Sequence, residues 1–199
     1  MTASMNVAIL VFDDVEVLDF AGPFEVFSVA SEAAERNPDP PFNVYTIGHT
    51  GGIVRARGGL KIEPSYSIHN APQADILIIP GGFGTRRLLR NDVILTWLRE
   101  QQGRVQYLLS VCTGSLVLAA AGVLHDMPAT SHHTAIDRLR DLSPDTTPIH
   151  DKRFVVHGSV ITSGGISAGI DMSLYMVEKL LGAKVLELVK KEMEWLWFQ

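Results

Sequence analysis

The chain contains a single cysteine, and its position predicts a nucleophile at a turn between a strand and a helix. Cys112 is the only cysteine among 199 residues. The apolar residues 105–111 before it predict a buried strand, and the small apolar residues 116–121 after it predict a helix. At the start of a helix, the dipole and the free backbone N–H groups favour a thiolate and can hold an anionic oxygen. A cysteine that only packs in the core is the alternative, and position alone does not decide between the two.

Acidic, glycine and hydroxyl residues elsewhere could complete a catalytic site around Cys112. Asp19 lies between two apolar residues in a predicted loop, and a carboxyl group beside a thiol controls when the thiol proton leaves. The backbone N–H groups of Gly82 and Thr113 are candidate oxyanion donors, and the Thr113 hydroxyl could contact an intermediate. A helix-capping role is the alternative for both Asp19 and Thr113.

Three other motifs are weaker indications of a functional site than Cys112 and Asp19. Ser167 stands in a G-x-S-x-G pattern, but no histidine follows it, so the triad order of the α/β-hydrolases cannot be completed. The histidines and the aspartate within residues 125–133 lack a second cysteine and an H-E-x-x-H pattern. The glycine-rich turn at residues 80–84 lacks the lysine of a phosphate-binding loop. We therefore expect neither a metal nor a cofactor.

The elements that must position these residues alternate between strand and helix. Apolar runs that predict strands occupy residues 6–12, 42–47, 60–62, 75–79, 105–111, 154–156 and 160–162. Helical patterns occupy residues 23–36, 93–102, 116–121, 134–142, 167–181 and 183–195. This alternation predicts one α/β domain over residues 1–199, with a doubly wound, mostly parallel sheet sandwiched by helices. The turns that carry Asp19, Gly82 and Cys112 are expected at the carboxyl edge of that sheet, where ligands bind.

Composition excludes several functional classes. The chain is 46% hydrophobic and 20% charged, with a net charge of −5, which is typical of globular domains. Its densest basic cluster, Arg86 and Arg87 with Arg90 nearby, is too small to indicate nucleic-acid binding by this chain alone. No apolar stretch reaches the roughly 20 residues that span a bilayer. The lone cysteine and the lack of a signal-peptide pattern predict a cytoplasmic protein.

Four segments together resemble the ThiJ/PfpI superfamily of class I glutamine amidotransferase-like folds. They are DFAGPFEVF at residues 19–27, PGG at 80–82, CTG at 112–114 and GGISAGID at 164–171, in that order. The resemblance implies a flavodoxin-like sheet with a cysteine nucleophile elbow. Within the superfamily, the C-T-G-S-L and G-G-I-S-A-G-I-D segments are similar to the isocyanide hydratase branch.

The resemblance to that branch implies a mechanism. The Cys112 thiolate would attack the terminal carbon of an isocyanide, and hydrolysis of the resulting thioimidate would release an N-substituted formamide. Asp19 would transfer protons and position the water. The Thr113 side chain and the N–H groups of Gly82 and Thr113, next to Gly81, would orient the intermediate.

The resemblance also bears on His132 and on partners. His132 matches a histidine that is common near the family's cysteine, so it is a candidate pocket residue, and a purely structural histidine is the alternative. A small-molecule substrate and a homodimer are implied as well.

Two departures from the family's patterns count against other family activities. Superfamily peptidases have a histidine directly after the cysteine, where this chain has Thr113, and the oxidative-stress and methylglyoxal-acting members usually have a glutamate where Asp19 stands. The same domain also forms the often non-catalytic N-terminal half of AraC-type regulators, which continue into a DNA-binding helix-turn-helix segment. Ligand sensing in such a regulator, or another hydrolase or stress activity, is therefore the alternative function.

Overall fold

The computed structural model describes residues 4–33 and 40–195, in which strands and helices alternate along the chain. The strands are β1 (Met5–Val11), β2 (Phe42–Gly48), β3 (Val54–Arg55), β4 (Lys61–Ile62), β5 (Tyr66–Ser67), β6 (Ile76–Ile79), β7 (Tyr107–Ser110), β8 (Pro128–Ala129), β9 (Thr147–Pro148), β10 (Phe154–His157) and β11 (Val160–Ser163). The α-helices are α1 (Val17–Ala33), α2 (Thr85–Leu88), α3 (Asp92–Gln102), α4 (Gly114–Ala120), α5 (Ile136–Leu142), α6 (Ala168–Leu181) and α7 (Ala183–Glu192).

The central sheet has seven strands in the order β10-β11-β7-β6-β1-β2-β5. Its neighbouring strands are parallel, except that β10 and β11 form an antiparallel hairpin. Strands β6 and β11 are buried along their whole length, and most of β1 and β7 is buried too. Because helices cover both faces of such a sheet, its strands are continuous apolar runs in the sequence. The predicted fold class, a mostly parallel α/β sheet flanked by helices, is confirmed.

The helices form two groups around this sheet. Helices α1, α6 and α7 pack against one another, while α4 contacts α2, α3 and α5. Within the described residues, no helix combines the length and the hydropathy needed to cross a bilayer. The predicted end of the first helix near residue 36 and the apolar residues 196–198 lie outside the described residues.

One prediction about local structure is confirmed and another is wrong. The short strand predicted at residues 60–62 is present as β4, which pairs with β3 in a hairpin outside the central sheet. The loop predicted around Asp19 is wrong, because α1 begins at Val17 and includes Pro23 in its interior. Proline removes one helical hydrogen bond, and burial of Val26 and Phe27 on the same helix outweighs that loss.

The turns after β1, β6, β7 and β11 meet at one edge of the sheet and are bonded to one another. Glu16 N–H donates to the Gly81 carbonyl over 2.9 Å, and Val111 N–H donates to the Ile79 carbonyl over 3.0 Å. Cys112 N–H donates to the carbonyls of Ser163 and Gly164, at 3.2 and 3.0 Å. Parallel strands that end in register bring these turns together.

The approach of α4 to β6 depends on Gly114, which gives a testable prediction. A Cβ atom at this position would overlap the carbonyl oxygen of Ile79. We expect Gly114→Ala to lower the free energy of unfolding by about 3 kcal/mol, because backbone must move to admit the methyl group. Urea unfolding followed by circular dichroism measures the change.

Gly103→Ala is the matched control for this substitution. Gly103 has a φ of −88° and a Cβ atom there meets nothing within 4 Å. Its replacement is expected to be neutral or stabilising by up to about 1 kcal/mol. Equal unfolding free energies for the two variants would contradict the close approach of α4 to β6.

Candidate active site

Cys112 lies on the turn between β7 and α4 in a conformation that few side chains adopt. Its φ is +56°, in the left-handed region, where residues other than glycine are strained by roughly 1–2 kcal/mol. The turn is held from both sides, because the Cys112 carbonyl accepts hydrogen bonds from the hydroxyls of Ser115 and Ser131 at 3.2 and 3.1 Å. The side chain is 6% exposed and lines a cavity of about 140 Å³. Its sulfur is therefore fixed in place and faces a space that a small molecule can enter.

Asp19 projects from the first turn of α1 and is fully buried. One carboxyl oxygen, Oδ2, accepts a hydrogen bond from the Gly81 N–H over 3.0 Å. The carboxyl group also interacts with the Cys112 thiol. The structure thus brings together Asp19 and Cys112, which are far apart in the sequence.

Burial controls the ionisation of this pair. Loss of solvent raises the pKa of Asp19 from 3.8 to about 7, although the hydrogen bond from Gly81 acts in the opposite direction. Loss of solvent, together with the charge of Asp19, raises the pKa of Cys112 to about 12. Two adjacent buried negative charges are strongly unfavourable, so the pair retains a proton at neutral pH. The Thr113 N–H at the helix start does lower the pKa of Cys112, as expected, but desolvation and the charge of Asp19 outweigh it, so the expected free thiolate is not favoured.

The raised pKa of Asp19 has a consequence for stability. Between about pH 4 and pH 7 the folded protein keeps a proton that the unfolded chain releases, so its stability falls as the pH rises through this window. From pH 5 to pH 8, we expect the wild type to lose about 2 kcal/mol more unfolding free energy than Asp19→Asn. Urea unfolding of both proteins at the two pH values measures this, since all other titrating groups are shared. Parallel losses would show that Asp19 ionises normally.

Gly81, Gly82 and Thr113 form the wall beside the pair. A Cβ atom on Gly81 would lie 2.6 Å from Thr113 N and 2.8 Å from Asp19 Oδ2, so only glycine permits this approach. The Gly82 N–H, expected to face the substrate, donates instead to Thr113 Oγ1 over 3.0 Å. The Thr113 N–H interacts with the Cys112 sulfur. The Thr113 hydroxyl in turn donates to the Gly82 carbonyl over 3.4 Å. The backbone N–H groups that act on the Cys112 sulfur are therefore those of Thr113 and Ile166.

His132 lines the same cavity as Cys112. Its Nδ1 accepts a hydrogen bond from Thr134 N–H over 3.3 Å and lies 2.9 Å from Thr134 Oγ1. Burial and the neighbouring His133 lower the pKa of His132. His132 therefore shapes the pocket as a largely neutral ring, packed against Gly165.

A second cavity of about 650 Å³ adjoins the first and shares His132 and Ile166 with it, but does not include Cys112. Ser167, from the G-x-S-x-G pattern, lines this larger cavity, and its hydroxyl accepts hydrogen bonds from Arg153. Across residues 4–33 and 40–195, no three histidine, cysteine or acidic side chains gather in a way that could hold a metal ion.

Several pocket residues were not predicted as site residues, although Ile166 stands in the GGISAGID segment. Ile166 has a φ of +52° and contacts both cavities. The residues at the cavity entrance come from three separate segments, namely Glu16, Arg57, Phe83 and Arg86. Neither their types nor their spacing marks them out, although Arg86 belongs to the basic cluster noted in the sequence.

The fold and the site together define an α/β protein of the class I glutamine amidotransferase-like type, with its cysteine on the turn after a central strand. Residues 5–179 match the model of the DJ-1/PfpI family. The chain therefore belongs to the DJ-1/PfpI family.

Individual relatives differ in what they do. The chain is 33% identical to an isonitrile hydratase from Pseudomonas putida over 192 residues, which covers 96% of this chain and 79% of the relative. It is 27% identical to the HTH-type transcriptional regulator GbdR from Pseudomonas aeruginosa, and the match spans 90% of this chain but only 48% of the regulator. A crystal structure of a ThiJ/PfpI family protein from Pseudomonas syringae superposes with a TM-score of 0.87 at 28% identity, covering 98% of this chain and 76% of the other.

Proposed function

We propose that the chain adds water to an isocyanide to give an N-substituted formamide, with Cys112 as the nucleophile and Asp19 as the proton carrier. The observation that carries this proposal is a buried carboxyl group that acts on the ionisation of a thiol, which stands on a strained turn and lines a small cavity. The similarity to an isonitrile hydratase over nearly the whole chain supports the same reaction, because isonitriles and isocyanides are one class of compound.

The first half of the reaction forms a covalent intermediate. The sulfur of Cys112 attacks the terminal carbon of R–N≡C, and the thiol proton passes through Asp19 to that same carbon. The product is a thioimidate, R–N=CH–S, in which one C–S bond and one C–H bond have formed. A carboxyl group with a pKa of about 7 can both accept and return this proton at neutral pH.

The second half releases the product. A water molecule adds to the thioimidate carbon while Asp19 accepts one of its protons, and the nitrogen is protonated, which gives R–NH–CH(OH)–S. The C–S bond then breaks, the sulfur regains a proton, and R–NH–CHO leaves. In this scheme Thr113 donates to the intermediate, Gly81 holds the Asp19 carboxyl in place, and Gly82 orients the Thr113 hydroxyl.

The test is to incubate the purified protein with an aryl isocyanide and to measure the formamide by chromatography. We expect multiple turnovers without any added metal or cofactor. Absence of formamide above the rate without enzyme would refute the proposed reaction.

A second candidate is a ligand-binding role like that of a regulator domain, which the similarity to GbdR favours. In that case, small molecules would bind in the Cys112 cavity without being converted. Saturable binding measured by calorimetry, combined with no formamide, would support this candidate over the enzyme.

The expected homodimer and cytoplasmic location stay predictions. Sedimentation equilibrium of the purified chain measures the oligomeric state, and a monomer at micromolar concentration would contradict the dimer.

A further inference from the structure

Two arginine side chains lie at the entrance of the Cys112 cavity, and the proposed reaction uses neither of them. Arg57 and Arg86 both line the cavity. Their guanidinium carbons lie 5.4 and 4.8 Å from the centroid of the Phe83 ring. The Phe83 side chain is itself 55% exposed. The entrance therefore presents an aromatic ring that carries two cations, a surface that attracts anions.

The two arginines differ in how their charge is balanced. Arg57 Nη1 lies 2.6 Å from Glu16 Oε2, and the charge of Arg57 also interacts with Cys112. Arg86 forms no ion pair with any residue in the described part of the chain, and its described side-chain contact is the Phe83 ring. The next residue, Arg87, is bound to Asp14 over 2.9 Å and does not line the cavity. Of these arginines, Arg86 therefore has the guanidinium whose charge is not balanced by any carboxylate that the structure describes, so it can pair with a ligand.

We infer that Arg86 binds a carboxylate on the substrate, so that the isocyanides hydrated by this chain carry an acidic group. This inference rests on the proposed function. The planar fork of a guanidinium pairs with both oxygens of a carboxylate. One unpaired guanidinium matches a singly charged carboxylate better than a doubly charged phosphate monoester. A molecule held by its carboxylate at the entrance and attacked at its terminal carbon by Cys112 is fixed at both ends.

Alkylation of the single cysteine measures this effect independently of catalysis. Iodoacetate and iodoacetamide are nearly equal in size and differ by one negative charge, and Cys112 is their only cysteine target in the chain. We expect the ratio of their rate constants, iodoacetate over iodoacetamide, to exceed the ratio for N-acetylcysteine. In Arg86→Gln the ratio should fall by about fivefold, the upper range for one exposed ion pair.

Two further variants separate the binding role from general effects. Arg86→Lys keeps the charge but loses the fork, so its ratio should lie between those of the wild type and Arg86→Gln. Arg90→Gln removes the same charge from an exposed position that does not line the cavity, and should leave the ratio unchanged. A wild-type ratio equal to that of N-acetylcysteine, or a ratio unaffected by Arg86→Gln, would overturn the inference.

Hydration assays then connect the site to the substrate. Isocyanoacetate should show a higher kcat/KM than its methyl ester in the wild type, and Arg86→Gln should remove most of that preference. Equal use of acid and ester would overturn the proposed substrate class. If the alkylation ratio responds to Arg86 but neither isocyanide is hydrated, the proposed function fails while anion binding by Arg86 stands.

Discussion

Cys112→Ala is expected to reduce isocyanide hydration by at least about 10⁴-fold, as removal of a covalent nucleophile does in other enzymes. The reason is that no other described side chain in the cavity offers a comparable nucleophile, and the covalent route is then closed. Steady-state formamide production by equal amounts of wild type and variant measures the loss. Intact-protein mass spectrometry of the wild type during turnover should also show an adduct with the mass of the substrate.

The control for this substitution must show that the fold survives. Alanine adopts a φ of +56° at about the same cost as cysteine, so the unfolding free energy of Cys112→Ala should stay close to that of the wild type. Ser110→Ala is a matched change on β7, because Ser110 is buried, does not line the cavity and has a hydroxyl without a partner among the described residues. Its turnover should stay within about twofold of the wild type. Turnover that persists in Cys112→Ala would show that the sulfur is not the nucleophile.

Asp19→Asn is expected to lower kcat/KM by about 10²- to 10⁴-fold, the usual contribution of a positioned acid and base. The amide has nearly the same shape and can still accept the hydrogen bond from Gly81, but it cannot carry a proton. In the wild type, kcat/KM should rise with pH through about 7, because the Asp19 carboxyl must lose its own proton before it can accept the proton of the Cys112 thiol. This rise should be absent in the variant.

Cysteine alkylation distinguishes lost proton transfer from a disrupted pocket. The negative charge of Asp19 raises the pKa of Cys112, so its removal should leave iodoacetamide alkylation at pH 8 as fast as in the wild type, or faster. Slower alkylation together with lower turnover would assign Asp19 a structural role only. Unchanged turnover would remove Asp19 from the mechanism.

Membership of the DJ-1/PfpI family does not by itself determine the activity. The chain matches an isonitrile hydratase and about half the length of a transcriptional regulator, and both matches include the segment around Cys112. Function in such a family depends on the groups around the cysteine rather than on the sheet that carries it. The carboxyl partner and the charge at the entrance are therefore the features that the experiments above address.

The main strands of the fold and the turn that carries Cys112 could be predicted from short segments of the sequence. The apolar runs that form β1, β6 and β7 are continuous because both faces of those strands are covered. The small and glycine residues that follow them mark the turns, so the position of Cys112 between a strand and a helix could be predicted. Asp19 was a candidate through its motif, although the predicted loop proved to be the first turn of α1.

By itself, the sequence determined the parallel α/β sheet, the turn that carries Cys112 and the choice of Asp19 as its candidate partner. Only the tertiary structure decided that burial raises the pKa of both groups, that the Gly82 N–H binds Thr113, and that Arg57 and Arg86 meet at the cavity entrance. The physical reason is how far apart in the sequence the interacting residues are. Hydrophobic pattern and turn chemistry act between near neighbours in the chain, whereas desolvation, charge balance and hydrogen-bond choice depend on groups that folding brings together from distant segments.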